Sequence, residues 1–162
     1  MFYLDPQTNT RYQLNRPFTY NSIQYTRAGA THETFMSLGF TQVVVGQRPD
    51  DRFYIVSGPD NAGQYNSTPR DLTELKNNFI REVKTTAYSL LKATDWYIVR
   101  QQELGYSEAP VPQVVTDFRA AVRALATSRC DAIDATGSVE ALKTLVDTPA
   151  EFPETPDEVS TY

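Results

Sequence analysis

The sequence predicts an α+β fold: a small β-rich module with its linker (residues 1–69), a helical hairpin module with a short third helix (70–148), and an extended, Pro-rich acidic tail (149–162). Three observations predict it. Apolar and polar residues alternate over short segments of the first module. After residue 70 the apolar residues recur every three or four positions, the period of an amphipathic helix. Five acidic residues and no basic residue follow residue 146.

Strands are predicted in the first module where β-branched and aromatic residues lie between turn residues. The strand segments are Phe2–Leu4, Arg11–Leu14, Phe18–Tyr20, Ile23–Tyr25, Phe40–Val45 and Arg52–Val56. Only Asn21 and Ser22 separate the third segment from the fourth, and this spacing favours a hairpin.

A short helix and a loop complete the first module. The helix is expected from Thr31, a residue type that caps helices, to Leu38, and Gly39 can end it. Residues 57–69 are rich in glycine, proline and asparagine, so they are predicted to form a loop or linker.

The second module is predicted to be helical. One apolar stripe consists of Leu72, Leu75, Phe79, Val83, Ala87, Leu90 and Leu91. Asp71 or Thr73 can cap its helix, which is expected to run from about residue 71 to about residue 103 unless Thr94 and Asp95 cap a new helix. A second helix with Val115, Phe118, Val122, Leu125 and Ile133 facing inward is expected to end near Gly137. Ser138 can cap a short third helix that reaches Val146.

Composition and charge narrow the classes of partner. The net charge is −5, and the modules 1–69 and 70–146 are each neutral, so the whole excess lies after residue 146. Without a basic stripe, nucleic-acid binding is not expected.

No apolar run reaches the ~18 residues of a membrane span. The first residues, Met1–Pro6, do not have the layout of a signal peptide. A solvated, disordered end is the simpler interpretation of the acidic tail, and contact with a basic partner is the alternative.

No group of residues has the pattern of a catalytic or metal site. The single Cys130 fits a small buried position in a helix, and the single His32 fits a surface or helix-capping position. Asp50 and Asp51 lie in a turn signal, and Asp131 and Asp134 fit a solvated helix face. We therefore predict a protein that is not an enzyme and uses no metal or cofactor, and a hydrolase built on these carboxylates is the weakest alternative.

One segment of the second module is distinctive. Leu90–Arg100 contains Leu-Leu, then Thr-Asp-Trp, then Tyr-Ile-Val-Arg, and Asp117–Arg123 follows after Glu103, Gly105, Pro110 and Pro112. This pattern resembles the helical module of the bacteriophage tail-fibre assembly chaperone family. Arg16–Tyr25 resembles the short β segment that precedes such modules. The sequence departs from the family pattern at Phe118, where Tyr is common, and at Thr26, where Pro is usual.

The resemblance implies a phage tail protein that binds the tail fibre or the baseplate, either as a structural component or as an assembly factor. It would be found in the virion tail, or in the host cytoplasm during assembly, and could form a homo-oligomer. Physical reasoning places Trp96 either in the core or at a partner interface. A host-directed adaptor that uses the acidic tail as its ligand is the alternative function.

Tyrosine and arginine dominate the predicted partner-binding residues because they are common interface anchors. The predicted set is Tyr12, Tyr20, Tyr25, Tyr54, Trp96, Tyr97, Arg100 and Arg119. For the tyrosines of the first module, the alternative is that they simply suit the half-buried face of a sheet. Arg100, Glu103, Arg119 and Arg123 could also pair across the helical hairpin.

Overall fold

The computed structural model describes residues 1–156 and divides the chain into two units, Met1–Pro69 and Arg70–Tyr162. The N-terminal unit contains small antiparallel sheets, and the C-terminal unit is helical, so the predicted α+β class is confirmed. No helix of the described residues is long and apolar enough to span a membrane. Residues 1–156 also contain no group of three or more His, Cys, Asp or Glu side chains placed to hold a metal ion.

Three small antiparallel sheets and one short helix form the N-terminal unit. In chain order, its elements are β1 (Phe2–Leu4), β2 (Arg11–Tyr12), β3 (Phe18–Tyr20), β4 (Ile23–Tyr25), α1 (His32–Ser37), β5 (Thr41–Val43), β6 (Tyr54–Ser57) and β7 (Asn66–Pro69). The first sheet has the order β2-β1-β5, and Tyr3 lies opposite Tyr12 on one side and Gln42 on the other. The predicted β3-β4 hairpin is confirmed, with Phe18 opposite Tyr25.

Helix α1 brings Phe35 to the centre of an aromatic core. The hydroxyl of Thr31 accepts a hydrogen bond from the Thr34 backbone N–H, as predicted for the cap, and Gly39 follows the helix with φ of 81°. Phe35 is fully buried. The rings around it belong to Tyr3, Tyr12, Phe18 and Phe40, with centroids 4.5 to 6.2 Å away. A unit of this size buries little apolar surface, so its stability is marginal. The large aromatic rings supply much of the apolar surface that it does bury.

The predicted loop 57–69 is wrong in its last part, because residues 66–69 form β7. Asp60 stabilises the turn that reverses the direction of the chain. Its carboxylate accepts hydrogen bonds from the backbone N–H groups of Ala62 and Gln64, both at 2.9 Å. This tight turn places β7 antiparallel to β6, with Ile55 opposite Thr68. Strand β6 also begins two residues later than predicted, at Tyr54.

Gly63 lies against the segment that follows β5. It has φ of 80°, and its carbonyl accepts a hydrogen bond from the Gly46 N–H at 2.9 Å. A Cβ at this position would collide with the backbone oxygen of Val44 and would lie 2.9 Å from Cγ1 of Val43. The position therefore requires glycine for space as well as for backbone conformation.

Gly63→Ala should destabilise the N-terminal unit by more than the ~1–2 kcal/mol of left-handed strain, because the backbone must also move. Gly39→Ala is the matched control, since Gly39 has φ of 81° and nothing within 4 Å of its Cβ position. Urea unfolding followed by near-ultraviolet circular dichroism measures both variants. Equal losses in the two variants would show that the contact with Val44 costs nothing.

Asp5 organises the turn between β1 and β2. It is buried, and its carboxylate accepts hydrogen bonds from the Thr8 hydroxyl at 2.7 Å and the Gln7 N–H at 2.9 Å. These two bonds, the hydroxyl bond first, lower the pKa of Asp5 below its ordinary value. The folded state therefore favours the charged carboxylate.

Asp5 should accordingly contribute stability at neutral pH that is lost as the pH falls below about 4. The sign follows because the folded pKa is the lower one, so the unfolded chain takes up the proton first. Asp5→Asn lacks this titration. The difference in urea midpoint between the native chain and the variant should be larger at pH 7 than at pH 3, and a difference independent of pH would contradict this assignment.

Four helices form the described part of the C-terminal unit: α2 (Leu72–Lys92), α3 (Asp95–Leu104), α4 (Gln113–Asp134) and α5 (Val139–Asp147). The expected single helix over 71–103 is wrong, and the alternative break at Thr94 is confirmed. The predicted caps Asp71 and Ser138 accept hydrogen bonds from the backbone N–H groups of Glu74 and Ala141. Helix α2 packs along α4, and α5 packs against α4.

The first part of the tail belongs to the fold. Phe152 is half-buried and packs against a cluster of Ala87, Phe118 and Val122. Arg129 of α4 donates hydrogen bonds to the carbonyls of Leu145 and Thr148, both at 2.6 Å, where α5 ends. The prediction that the acidic tail is a solvated, disordered end is therefore wrong at Phe152. Residues 157–162 of the tail lie outside the described residues.

Candidate partner-binding site

Three of the four predicted tyrosines of the N-terminal unit surround the aromatic core. Tyr12 stacks on Phe40 at 4.9 Å, and Tyr20 meets Phe40 edge-on at 4.9 Å. Tyr25 lies parallel to Phe18 with ring centroids 4.5 Å apart. All three tyrosines are half-buried. One side of each ring therefore packs on another aromatic ring, as the packing interpretation predicts, and the exposed side keeps contact with a partner as a prediction.

Tyr54 lies apart from this cluster, on β6 opposite Pro69, and is half-buried. Tyr3, in contrast, is fully buried, and its hydroxyl lies 2.7 Å from Nδ1 of the exposed His32. Burial, and then the charge of Glu33, raises the pKa of Tyr3. Burial is also the main cause that raises the pKa of Tyr12, followed by the charge of Asp5. Both phenols are neutral at physiological pH.

A cleft of about 560 Å³ opens beside Tyr12. We call it the arginine cleft, and its lining residues are Met1, Phe2, Arg11, Tyr12, Gln13, Arg16, Pro17, Phe18, Val45, Pro59 and Tyr65. Of the predicted partner-binding residues only Tyr12 lines it. The predicted partner-binding residues do not include Arg11, Arg16 or Phe18, although Arg16-Pro17-Phe18 opens the segment that carries the N-terminal resemblance.

The Thr-Asp-Trp motif and the Asp-Phe-Arg motif of the C-terminal unit meet in a helical joint of Leu91, Thr94, Asp95 and Arg119. Nη1 of Arg119 donates to the Thr94 hydroxyl oxygen at 2.6 Å and to the Leu91 carbonyl at 2.9 Å, and it pairs with the Asp95 carboxylate at 2.9 Å. The Thr94 hydroxyl itself donates to the Leu91 carbonyl at 2.8 Å. One guanidinium of α4 thus holds the end of α2 and the start of α3.

This geometry corrects two expectations. Thr94 lies at the start of α3, as predicted, but its side chain makes no capping bond there and binds across the joint instead. Arg119 was predicted to bind a partner, yet its side chain is buried, with 8% of the residue exposed, and its Nη1 donates inside the unit. We therefore assign Arg119 to the structure of the joint, not to a binding surface.

Trp96, Tyr97 and Arg100 follow the joint on α3. Trp96, expected either in the core or at a partner interface, is half-buried, and Tyr97 is the buried ring of the two. Successive helix residues are 100° apart, so the two adjacent rings point in different directions and are buried to different extents. The Trp96 and Tyr97 ring centroids are 3.8 Å apart, and the exposed Arg100 guanidinium lies 6.0 Å from the Trp96 ring. Trp96 and Arg100 thus offer an aromatic face and a charge at the surface.

The two carboxylate pairs lie in ordinary structural settings. Asp50 accepts hydrogen bonds from the side chain and the backbone N–H of Arg52, and Asp51 pairs with Arg48 at 2.8 Å. Asp134 is exposed, and its backbone carbonyl accepts a bond from Nζ of Lys76 at the end of α4. Cys130, predicted to be buried, is half-buried.

The described residues therefore offer two candidate surfaces for a partner. The first is the tyrosine cluster with the arginine cleft, in the N-terminal unit. The second is the pair Trp96 and Arg100, in the C-terminal unit. Comparison of the chain with protein-family models, with curated proteins and with solved structures finds no match.

Proposed function

We propose that this chain is a bacteriophage tail protein that binds the tail fibre or the baseplate, as a structural component or as an assembly factor, and that it acts without catalysis. The observation that carries the proposal is the helical joint. Thr94 and Asp95 come from one segment of the resemblance and Arg119 from the other, and their side chains bond directly. This supports treating two segments 25 residues apart as one motif.

A binding role is supported by the residues at the two surfaces. Half-buried aromatic rings with one fixed side, next to an exposed guanidinium, are typical of interface anchors. Trp96 and Arg100 have this arrangement, and so do Tyr12 and the cleft residue Arg16. Self-association through either surface would give a homo-oligomer.

Mass spectrometry of purified particles from the virus that encodes this chain tests the proposal. A fixed number of copies per particle would identify a structural tail component. Absence from particles, together with co-purification with fibre or baseplate proteins from infected cells, would identify an assembly factor. Absence from particles and from any such complex would overturn the proposal.

Substitution of Trp96 tests whether the surface of Trp96 and Arg100 binds the partner. Trp96→Ala should reduce incorporation into particles, or capture of the fibre protein, because it removes a ring that is half-exposed on α3. Gln102→Ala, an exposed position on the same helix, is the matched control. Thermal unfolding of both variants separates lost binding from lost folding, and normal incorporation of a folded Trp96→Ala chain would exclude Trp96 from the interface.

The host-directed adaptor is a second candidate, which the position of the acidic charges favours. Asp147 pairs with Lys143, whereas Glu151 and Glu154 are exposed. Because Phe152 packs against the buried cluster of Ala87, Phe118 and Val122, deleting the tail would disturb the unit, and charge neutralisation is the cleaner test. Changing Glu151, Glu154 and the acidic positions 157 and 158 to their amides should abolish binding of a host partner. Unchanged binding would remove this candidate.

A further inference from the structure

The arginine cleft has an unusual charge for this chain. Arg11 and Arg16 line it, and no aspartate or glutamate of the described residues is among its lining residues. The N-terminal unit as a whole is neutral and the chain carries −5, so this positive charge is local. A cleft that collects one sign of charge between apolar walls attracts ligands of the other sign.

Both guanidinium groups are available to a ligand. Nε of Arg11 donates to the Asn61 side-chain oxygen at 2.9 Å, and its guanidinium carbon lies 4.9 Å from the Phe2 ring centroid. These neutral contacts orient Arg11 without compensating its charge. Arg16 is exposed and makes no hydrogen bond or ion pair with any of residues 1–156. The backbone of the preceding residue, Asn15, is held by its N–H, which donates to the Ala30 carbonyl at 3.1 Å.

The aromatic wall of the cleft is held by the core. Tyr12 stacks on the buried Phe40, and its ring meets the Phe18 ring edge-on at 5.2 Å. Phe18 also stacks on the buried Phe35 at 4.8 Å. The wall therefore needs little reorganisation to receive an apolar or aromatic side chain, which lowers the entropic cost of binding.

We propose that the arginine cleft binds a carboxylate-bearing peptide segment of a partner protein. The carboxylate would accept hydrogen bonds from Arg16 and from the terminal nitrogens of Arg11, since the planar guanidinium matches a carboxylate in two-point contact. An apolar side chain next to it in the peptide would lie on Tyr12 and Phe18. This inference rests on the proposed binding function and specifies the chemistry of the partner.

A peptide fits the cleft better than a nucleic acid does. Binding a phosphate backbone draws on a stripe of basic residues, and the N-terminal unit has five basic and five acidic residues. Two cations beside four aromatic rings suit one or two carboxylates with an apolar neighbour. The expected ligand of the cleft is therefore an acidic peptide segment that contains an aromatic residue.

Nuclear magnetic resonance titration of the full chain with two terminally blocked peptides tests this inference. The probe is Asp-Glu-Phe-Glu, and its matched control is Asn-Gln-Phe-Gln. We expect the acidic peptide to shift the signals of Arg16 and Tyr12 and to bind about tenfold more tightly than the amide peptide. Arg16→Gln should remove about that tenfold advantage. Arg27→Gln is the control, because Arg27 is an exposed arginine of the same unit that does not line the cleft.

Four results would overturn the inference: equal affinity for the two peptides, no binding of either, equal losses in the Arg16 and Arg27 variants, or tighter binding of a ten-residue oligothymidylate. The last result would assign the cleft to nucleic acid. Because the exposed Arg16 makes no hydrogen bond or ion pair with the described residues, its variant should keep the native urea midpoint. The readout is a peptide affinity of the purified chain, so its failure is distinguishable from absence of the chain from particles.

Discussion

Replacing Phe35 by alanine is expected to unfold the N-terminal unit or to leave it barely stable. Phe35 is fully buried and touches four aromatic rings, so its loss leaves a large cavity among groups that cannot close around it. Phe→Ala changes of this kind cost about 3–5 kcal/mol. A unit of 69 residues has few other buried side chains to compensate. Near-ultraviolet circular dichroism during urea unfolding should show the loss.

Met36→Ala is the matched control for this prediction. Met36 is the next residue on α1 and is 49% exposed, so its truncation should change stability by no more than about 0.5 kcal/mol. If Phe35→Ala also costs less than about 1 kcal/mol, the aromatic cluster is not the core of the unit.

Arg119→Ala is expected to destabilise the C-terminal unit by about 2–3 kcal/mol. The change leaves the Thr94 hydroxyl and the Leu91 carbonyl without their charged donor in a buried setting. The ion pair itself contributes less, because Asp95 is 51% exposed and water can hydrate its carboxylate. Thermal unfolding followed at 222 nm measures the loss.

Two further variants distinguish the specific contacts of Arg119 in the helical joint from the effect of a positive charge on α4. Arg119→Lys keeps the charge but has no planar fork, so it should recover only part of the stability. Arg123→Ala removes an exposed arginine one turn further along α4 and should have little effect. A loss as large for Arg123→Ala as for Arg119→Ala would mean that the helical joint does not stabilise the unit.

The sequence was sufficient for features that depend on neighbouring residues. The caps Thr31, Asp71 and Ser138 bind N–H groups three residues ahead, and such contacts are visible in a short window. The β3-β4 hairpin was predictable for the same reason, since Asn21 and Ser22 supply the left-handed turn conformation with φ of 48° and 63°.

Features that depend on distant residues could not be predicted in this way. Strand β7 has a turn-like composition, and it becomes a strand only because the Asp60 turn returns it to β6. The burial of Arg119 depends on acceptors 25 and 28 residues away. The periodicity of α3 identifies a helix but does not decide whether Trp96 or Tyr97 faces the core. The arginine cleft gathers residues from five segments between residues 1 and 65, so no local motif marks it.

The contact of Phe152 determines where the chain can be shortened. A fragment that ends after α5 retains the four described helices of the unit but lacks the ring that covers part of the Ala87, Phe118 and Val122 cluster. Such a fragment would expose an apolar patch and would be prone to aggregate. A purification tag or fluorescent fusion at the C-terminal end therefore belongs beyond Phe152, and a protease site for its removal belongs there as well.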